Sequence, residues 1–411
     1  MPRATATRSD AGTGGTRSSV KGGRRTEQIA RAAARLFQDL GYQNVSIDQI
    51  GAAVGLTGPA VYRHFKGKHD ILVQALMSQV RLVDELAARA DEGVTAQEQL
   101  DLFLAGLGDL TANGDEATLW RREQRHLEPA ERDEFLADFA TNRDRIAAKV
   151  MAAQPKVDER TAELLGFAVL AMYSNTPDIR GTLPSDRLID IQSAVAAAII
   201  GSKLPDHGPE AVTAPHTVHR RPAGRRERIL EASAGLFDAR GFYDVRIDDI
   251  AKASEMSVAT LYQHVSGKTE VLRAILERGA EGLLYVTADA LATADNPHQA
   301  LDALIRTYIR QALGVHGRIM HILATDLLYL PDDEQAALRE TQREYVAEWV
   351  DAICALDGDL SAADARALAQ SAIGVITDVS QESRLRERPG IAEDLAILAR
   401  AMVLPTGLVP Q

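Results

Sequence analysis

The sequence predicts an all-α chain of two tandem units, each a three-helix head followed by a helical body. Three observations carry that prediction. First, Arg25–Leu72 aligns without a gap on Arg225–Leu272, with 18 of 48 positions identical. A period of 200 residues is too long for a stack of small repeats and marks a duplicated domain pair. Second, apolar residues recur at helical spacing through both halves, with breaks near Gly93, Gly114, Pro155, Pro184, Pro297, Pro331, Gly358 and Pro389. Third, the 411 residues are 45% hydrophobic and 25% charged, with one cysteine, Cys354. That composition supports cores of ordinary size, and it excludes collagen-like, wholly disordered and disulfide-scaffold classes.

The elements follow in chain order. Residues 1–22 are rich in Gly, Ser, Thr and Arg and are expected to be a disordered basic arm. Ile29, Ala32, Ala33, Leu36 and Phe37 predict a first helix from about 24 to 40, ended by Gly41. Ser46 stands three residues before Gln49, a capping box that opens a short second helix with Ile47, Ile50, Ala53 and Val54 inward. Gly55 supplies the turn, Thr57 is placed as the next cap, and Pro59 is tolerated in a first turn, giving a third helix from Gly58 to about His64. Helix, four-residue turn, helix is the plan that places its second helix in a major groove. A long fourth helix starts near Lys68. The expected boundaries are head 23–72, body 73–202, linker 203–222, second head 223–272 and second body 273–404, with six helices per body. Lys203–Pro222 holds four prolines, as a semi-extended linker would.

Charge is unevenly placed. The net charge is -12, yet residues 1–72 carry 11 Lys/Arg against 5 Asp/Glu and residues 220–272 carry 9 against 8. Basic heads on acidic bodies suit an oriented contact with a polyanion. No run of about 18 apolar residues predicts a membrane span, and no secretory signal follows the N-terminal arginines. A reducing cytoplasmic setting, no membrane partner, no cofactor and no metal are expected. Catalytic signatures such as a phosphate loop, His-Glu-x-x-His or Gly-x-Ser-x-Gly do not occur, so an enzyme is not expected.

Gly41-Tyr42, Ile47-Asp48-x-Ile50, Thr57, Val61-Tyr62-x-His64-Phe65, Lys68 and Ile71-Leu72 together resemble the DNA-binding domain of TetR-type transcriptional repressors. Gly241–Leu272, with Leu261-Tyr262-x-His264, resembles it again. Two units in one chain are similar, more narrowly, to the double-TetR regulators of mycobacterial lipid and mammalian-cell-entry operons. The resemblance implies a double-stranded DNA operator, a small-molecule effector held in the bodies, and a four-helix pairing face. That face would involve about 157–175 with 186–201 and about 362–380 with 390–403, closing an intrachain pseudo-dimer.

Carried over position by position, the resemblance implies that Thr57, Gly58, Pro59 and Ala60 face bases, as do Ser257, Val258, Ala259 and Thr260 in the second head. Arg63 suits guanine and its counterpart Gln263 suits adenine, so unlike half-sites are expected. Ser46, Tyr62, His64, Lys68, Tyr262, His264 and Lys268 fall at backbone-contacting positions, with core packing the alternative for the two tyrosines. The second head departs from the pattern: Glu255 replaces the turn glycine, Val265 the aromatic and Arg246 the capping serine. The N-terminal arginines 3, 8, 17, 24 and 25 could reach a minor groove. For the effector, Phe103, Trp120 and Phe139 in the first body and Tyr308, Tyr345 and Trp349 in the second are candidate liners, with ordinary core packing as the alternative. Arg121, Arg122 and Arg125 could grip the phosphates of an acyl-coenzyme A, against a solvated face paired with Glu123. Ala324, Thr325 and Leu328 at the aligned positions make such a site single. The competing function is a protein-binding module descended from a repressor.

Overall fold

The computed structural model describes residues 15–113, 119–179, 182–208, 222–314 and 316–408, and among them no strand occurs. The chain parts into two compact units, Met1–Ser78 and Gln79–Gln411. The sequence predicts a division at 203–222 instead; the bodies of both halves, however, share one continuous core, so no boundary falls between them.

The first unit contains α1 (Gly15–Leu40), α2 (Ile47–Ala53), α3 (Gly58–Val61) and the start of α4 (Lys68–Ala90). Helix α1 begins earlier than the sequence predicts, taking in residues 15–22 of the expected disordered arm. No proline lies between Gly15 and Leu40, and extending an existing helix costs far less than starting one. Arg3 and Arg8 lie outside the described residues. Arg25 donates to the Val54 carbonyl at 2.9 Å, tying α1 to the turn after α2 and taking this arginine out of any arm. Ile29, Ala33, Phe37, Val45, Ile50, Val61, Phe65, Ile71 and Leu72 are all buried, as the periodicity predicts.

The second unit continues through α5 (Ala96–Asn113), α6 (Leu119–Glu123), a 3₁₀ turn at Gln124–His126, α7 (Pro129–Ala153), α8 (Glu159–Ser174), α9 (Thr176–Ile179) and α10 (Ser185–Ile200). The second head follows as α11 (Arg225–Asp244, broken at Gly241), α12 (Ile247–Ala253) and α13 (Val258–Tyr262). The second body comprises α14 (Lys268–Leu291), α15 (Pro297–Leu313), α16 (Gly317–Asp326), a 3₁₀ turn at Leu327–Tyr329, α17 (Asp332–Leu356), α18 (Ala362–Gln381), α19 (Ser383–Arg386) and α20 (Ile391–Val403). From the 3₁₀ turns onward, matching elements of the bodies stand 203 residues apart, three more than in the heads: 124–126 with 327–329, and 129–153 with 332–356. Of the linker, residues 203–208 are described, and His207 there meets the buried Asp394 carboxylate at 2.8 Å. Residues 209–221 lie outside the described residues.

The pairing face that the resemblance implies is present. Helix α8 packs on α18 and α10 packs on α20. Leu164, Leu165, Ala168, Val169 and Ile199 of one half share a buried core with Leu368, Ala372, Val375, Leu395 and Met402 of the other. Covering so many apolar side chains supplies most of the pairing energy. Buried ion pairs cross the same face. Arg187 holds Asp364 with two hydrogen bonds of 3.0 and 2.9 Å, both side chains almost fully buried. The Arg187 guanidinium holds the Asp364 carboxyl below its usual value, and the carboxylate in turn raises Arg187. A carboxyl with a lowered folded value contributes stability above its unfolded value, and that contribution is lost as pH falls through the folded value.

Removing one partner of a buried pair strands a charge, whereas replacing both by apolar groups is often neutral. Arg187→Ala is therefore expected to cost about 3–5 kcal/mol in denaturant unfolding, and Arg187→Met with Asp364→Leu close to nothing. The wild type should lose stability more steeply than that double variant as pH falls below about 4, followed by circular dichroism.

Candidate nucleic-acid interface

In each head the turn before the third helix is left-handed. Gly55 adopts φ 66° and Glu255 adopts φ 56°, so the second head keeps the turn at the strain of a side chain in that region. The second helix of the first head opens with the predicted box: the Gln49 N–H donates to Ser46 Oγ at 3.2 Å, and the Ser46 N–H donates to Gln49 Oε1 at 2.7 Å. Arg246 cannot accept such a bond. There the Asp249 carboxylate takes the Arg246 N–H at 2.9 Å and the Arg240 guanidinium at 3.1 Å, and these donors hold Asp249 below the usual carboxylate range.

Helix α3 is shorter than predicted, ending at Val61. Thr57 sits at its N-cap with an extended backbone but makes no side-chain cap, whereas Ser257 Oγ accepts the Thr260 N–H at 3.1 Å. Thr57, Pro59, Tyr62 and Arg63 are exposed, and so are Ser257, Ala259, Tyr262 and Gln263; Ala60, His64, Val258, Thr260 and His264 are half-buried, and Ser46 is exposed. Tyr62 is 58% exposed and Tyr262 53%, which overturns the core-packing alternative for both rings. Two expectations change. Gly58 is buried, and a Cβ there would meet Asp48 Oδ1 at 2.1 Å, so it is a close-packing position and not a base-facing one.

Lys68 and Lys268 are the second change. The Lys68 ammonium donates to the carbonyls of Tyr42 (2.8 Å), Gln43 (3.3 Å) and Val45 (2.9 Å) and lies 4.4 Å from the Tyr42 ring centre. Lys268 repeats this with Phe242 (2.6 Å), Tyr243 (3.2 Å) and Val245 (2.8 Å), over the Phe242 ring. An ammonium has three hydrogens. Both lysines spend them on the turn that follows Gly41 and Gly241, whose φ values of 82° and 77° turn those carbonyls. Their recurrence reflects a structural staple rather than a phosphate contact.

The bodies correct the phosphate-gripping reading of the arginines. Arg121 donates to Asn175 Oδ1 at 2.8 Å and to Asp378 at 2.6 Å, Arg125 meets Asp326 at 2.5 Å, and Arg122 meets Glu123 at 2.6 Å. Two of the three join the halves of the chain. Sequence spacing could not show this, because the partners lie more than 200 residues away. Asp326 also accepts the Phe242 N–H at 3.1 Å, holding the second head to its body, where Tyr329 stacks on Phe242. Burial raises the Asp326 carboxyl even with Arg125 beside it.

Of the candidate effector liners, Phe103, Tyr308, Tyr345 and Trp349 are core residues, and Trp120 and Phe139 are half-buried. Phe103 is fully buried, Trp120 is half-buried with its ring 4.7 Å from Phe139, and Trp349 is fully buried between Tyr308 and Tyr345. The Tyr308 hydroxyl bonds Thr377 at 2.9 Å, and burial pushes it up to about 12. Thr287 Oγ1, Tyr345 Oη and Trp349 Nε1 are buried without a hydrogen bond of good geometry. An open cleft of about 650 Å³, lined in part by Thr293, Asp295, His298, Asp302 and Arg400, includes none of the candidate liners.

A family model described as bacterial regulatory proteins of the tetR family matches residues 29–75 and, again, 229–275. Both heads of the chain match the tetR family over these residues. The chain is similar to the HTH-type transcriptional activator FasR of Mycolicibacterium smegmatis, with 27% identity over 199 residues, 46% of this chain and 90% of FasR. The HTH-type transcriptional repressor KstR2 of the same species is 27% identical over 132 residues, covering 32% of this chain and 64% of KstR2. A solved TetR-family regulator from Bordetella parapertussis covers 45% of this chain and 97% of its own length, with 24% identity and a TM-score of 0.40. The match with FasR takes in nearly all of FasR and less than half of this chain, as one unit of a tandem pair would.

The staple predicts a division of effects. Lys268→Met should cost the second head about 1–3 kcal/mol, the penalty for unpaired buried groups, read as faster hydrogen exchange at residues 242–245. At temperatures where the head stays folded, the salt slope of DNA binding should not change.

Proposed function

We propose that this tetR-family DNA-binding regulator reads an asymmetric operator with two unlike heads, and represses where that operator overlaps a promoter. The observation that carries the reading is the pair of exposed, non-equivalent side chains at matching positions, Arg63 in one head and Gln263 in the other. Arginine pairs with the two acceptors of guanine and glutamine with adenine, so identical half-sites would leave one head poorly served. The exposed Tyr62 and Tyr262 hydroxyls suit phosphate contacts that set register without reading sequence. With Lys68 and Lys268 occupied, the phosphate contacts fall to these tyrosines and to exposed cations such as Lys66. A small, largely apolar effector is proposed for the bodies, as the resemblance implies. Its effect on DNA affinity would equal its differential binding to the two conformations of the regulator.

Selection of bound genomic fragments followed by footprinting supplies the operator. One chain per shortest operator is expected by native mass measurement; two chains would contradict the asymmetric reading. On a panel of single-base operator variants, Tyr62→Phe should weaken binding to all members alike, whereas Arg63→Ala should cost about 1–3 kcal/mol and flatten discrimination at one base pair. Affinity should fall steeply between about 50 and 200 mM salt. A flat response would favour the protein-binding alternative.

A further inference from the structure

Among the described residues the buried arginine–aspartate pairs that cross between the halves run in one direction, and the exposed Arg384, 3.6 Å from Glu163, runs the other way. Arg121, Arg125 and Arg187 belong to the first half, and their partners Asp378, Asp326 and Asp364 to the second. At the separation of 203 that relates the bodies, the second-half counterparts of the arginines are Ala324, Leu328 and Gly390. The first-half counterparts of the aspartates are Asn175, Glu123 and Thr161. The correspondence at Gly390 rests on burial: Leu188, Ile191, Gln192, Val195, Ile199 and Ile200 are buried in α10, as are their counterparts 203 residues on in α20.

Asn175 and Asp378 are such counterparts, and they meet. The Asn175 amide donates to Asp378 Oδ2 at 3.0 Å while Arg121 bridges both side chains. Two equivalent positions in contact lie on the local two-fold that relates the halves. A pair of second halves would therefore set Asp378 against Asp378, with Ala324 where the guanidinium now stands. It would also bury Asp326 opposite Leu328, so that four carboxylates have no arginine among these positions, while Asp364 would face Gly390 with only Arg388, which here reaches Thr161 Oγ1 at 3.1 Å, beside it. A pair of first halves would bury Arg187 against Thr161 and two copies of Arg121 against two asparagines, with Arg125 alone still facing a carboxylate, Glu123.

We propose that this charge arrangement makes the two pairing faces of the chain complementary to each other and incompatible with themselves. The partner fitted by each face is the other half of the same chain, or the other half of a second copy, and never its own duplicate. Leaving a buried charge unpaired costs far more than a well-matched pair contributes. Selectivity of this kind comes from what the wrong pair must bury. The inference concerns pairing alone and stands whether or not the heads read DNA as proposed above.

The test uses the full chain with a protease recognition sequence inserted within residues 209–221, cut after folding. The halves are dissociated in guanidinium, diluted back, and weighed by native mass spectrometry, with uncut chain taken through the same cycle to fix the refolding yield. Unlike pairs are expected, with like pairs under a tenth of the total. A statistical mixture, one part of each like pair to two of the unlike, would overturn the proposal. A second preparation removes two of the pairs from both sides: Arg187→Met with Asp364→Leu, and Arg121→Ala with Asp378→Asn. Like pairs should then rise several-fold. If they stay as rare as in the wild type, apolar packing does the selecting and the charge arrangement does not.

Discussion

Neither body can close its own core, and the rest of the molecule depends on that constraint. Helices α8 and α10 carry apolar faces as long as the helices themselves, and those faces are buried only because α18 and α20 lie across them. Two amphipathic pairs that cover one another are the ordinary answer to an exposed helix face. Here they belong to one polypeptide, so the bodies of both halves and the second head form one compact unit. Polar groups at this face are tied into it: Gln192 donates to Thr111 and Thr176, and Asp394 is held by His207 and Arg388.

That constraint links architecture to chemistry at the second head. Asp326 takes one hydrogen bond from the head's backbone and one ion pair from the other half's Arg125. A single buried carboxylate thus connects the first body, the second body and a reading domain. Any rearrangement that moves Arg125 must leave Asp326 partly unpaired or move it too, which is the physical requirement for coupling between distant parts.

Much of this was legible in the sequence, for identifiable reasons. Helical periodicity placed Ile29, Phe37 and Ile50 in a core because burial on one face leaves a mark every three to four residues. The capping box at Ser46 was readable because both its members lie within one turn. The roles of Lys68 and Lys268 were not readable. Their partners lie 23 to 26 residues upstream and face the ammonium only after a glycine in the left-handed region turns the chain. A lysine repeated in both copies therefore looked like a shared contact with an outside anion, when it is a shared contact within. The arginines at 121 and 125 misled in the same way: clustered cations suggest an anionic ligand, and their carboxylates were more than 200 residues distant.

Residues 203–208 leave α10 and run onto the other half, where His207 docks against Asp394. Two subunits that meet by diffusion separate on dilution, and a regulator held at a few molecules per cell would spend time as inactive monomers. A tether removes that dependence, because the second face is always present at the concentration set by the connecting segment. Scarcity then costs this molecule nothing in assembly, and each newly made copy is complete when its own folding ends, without a search for a mate.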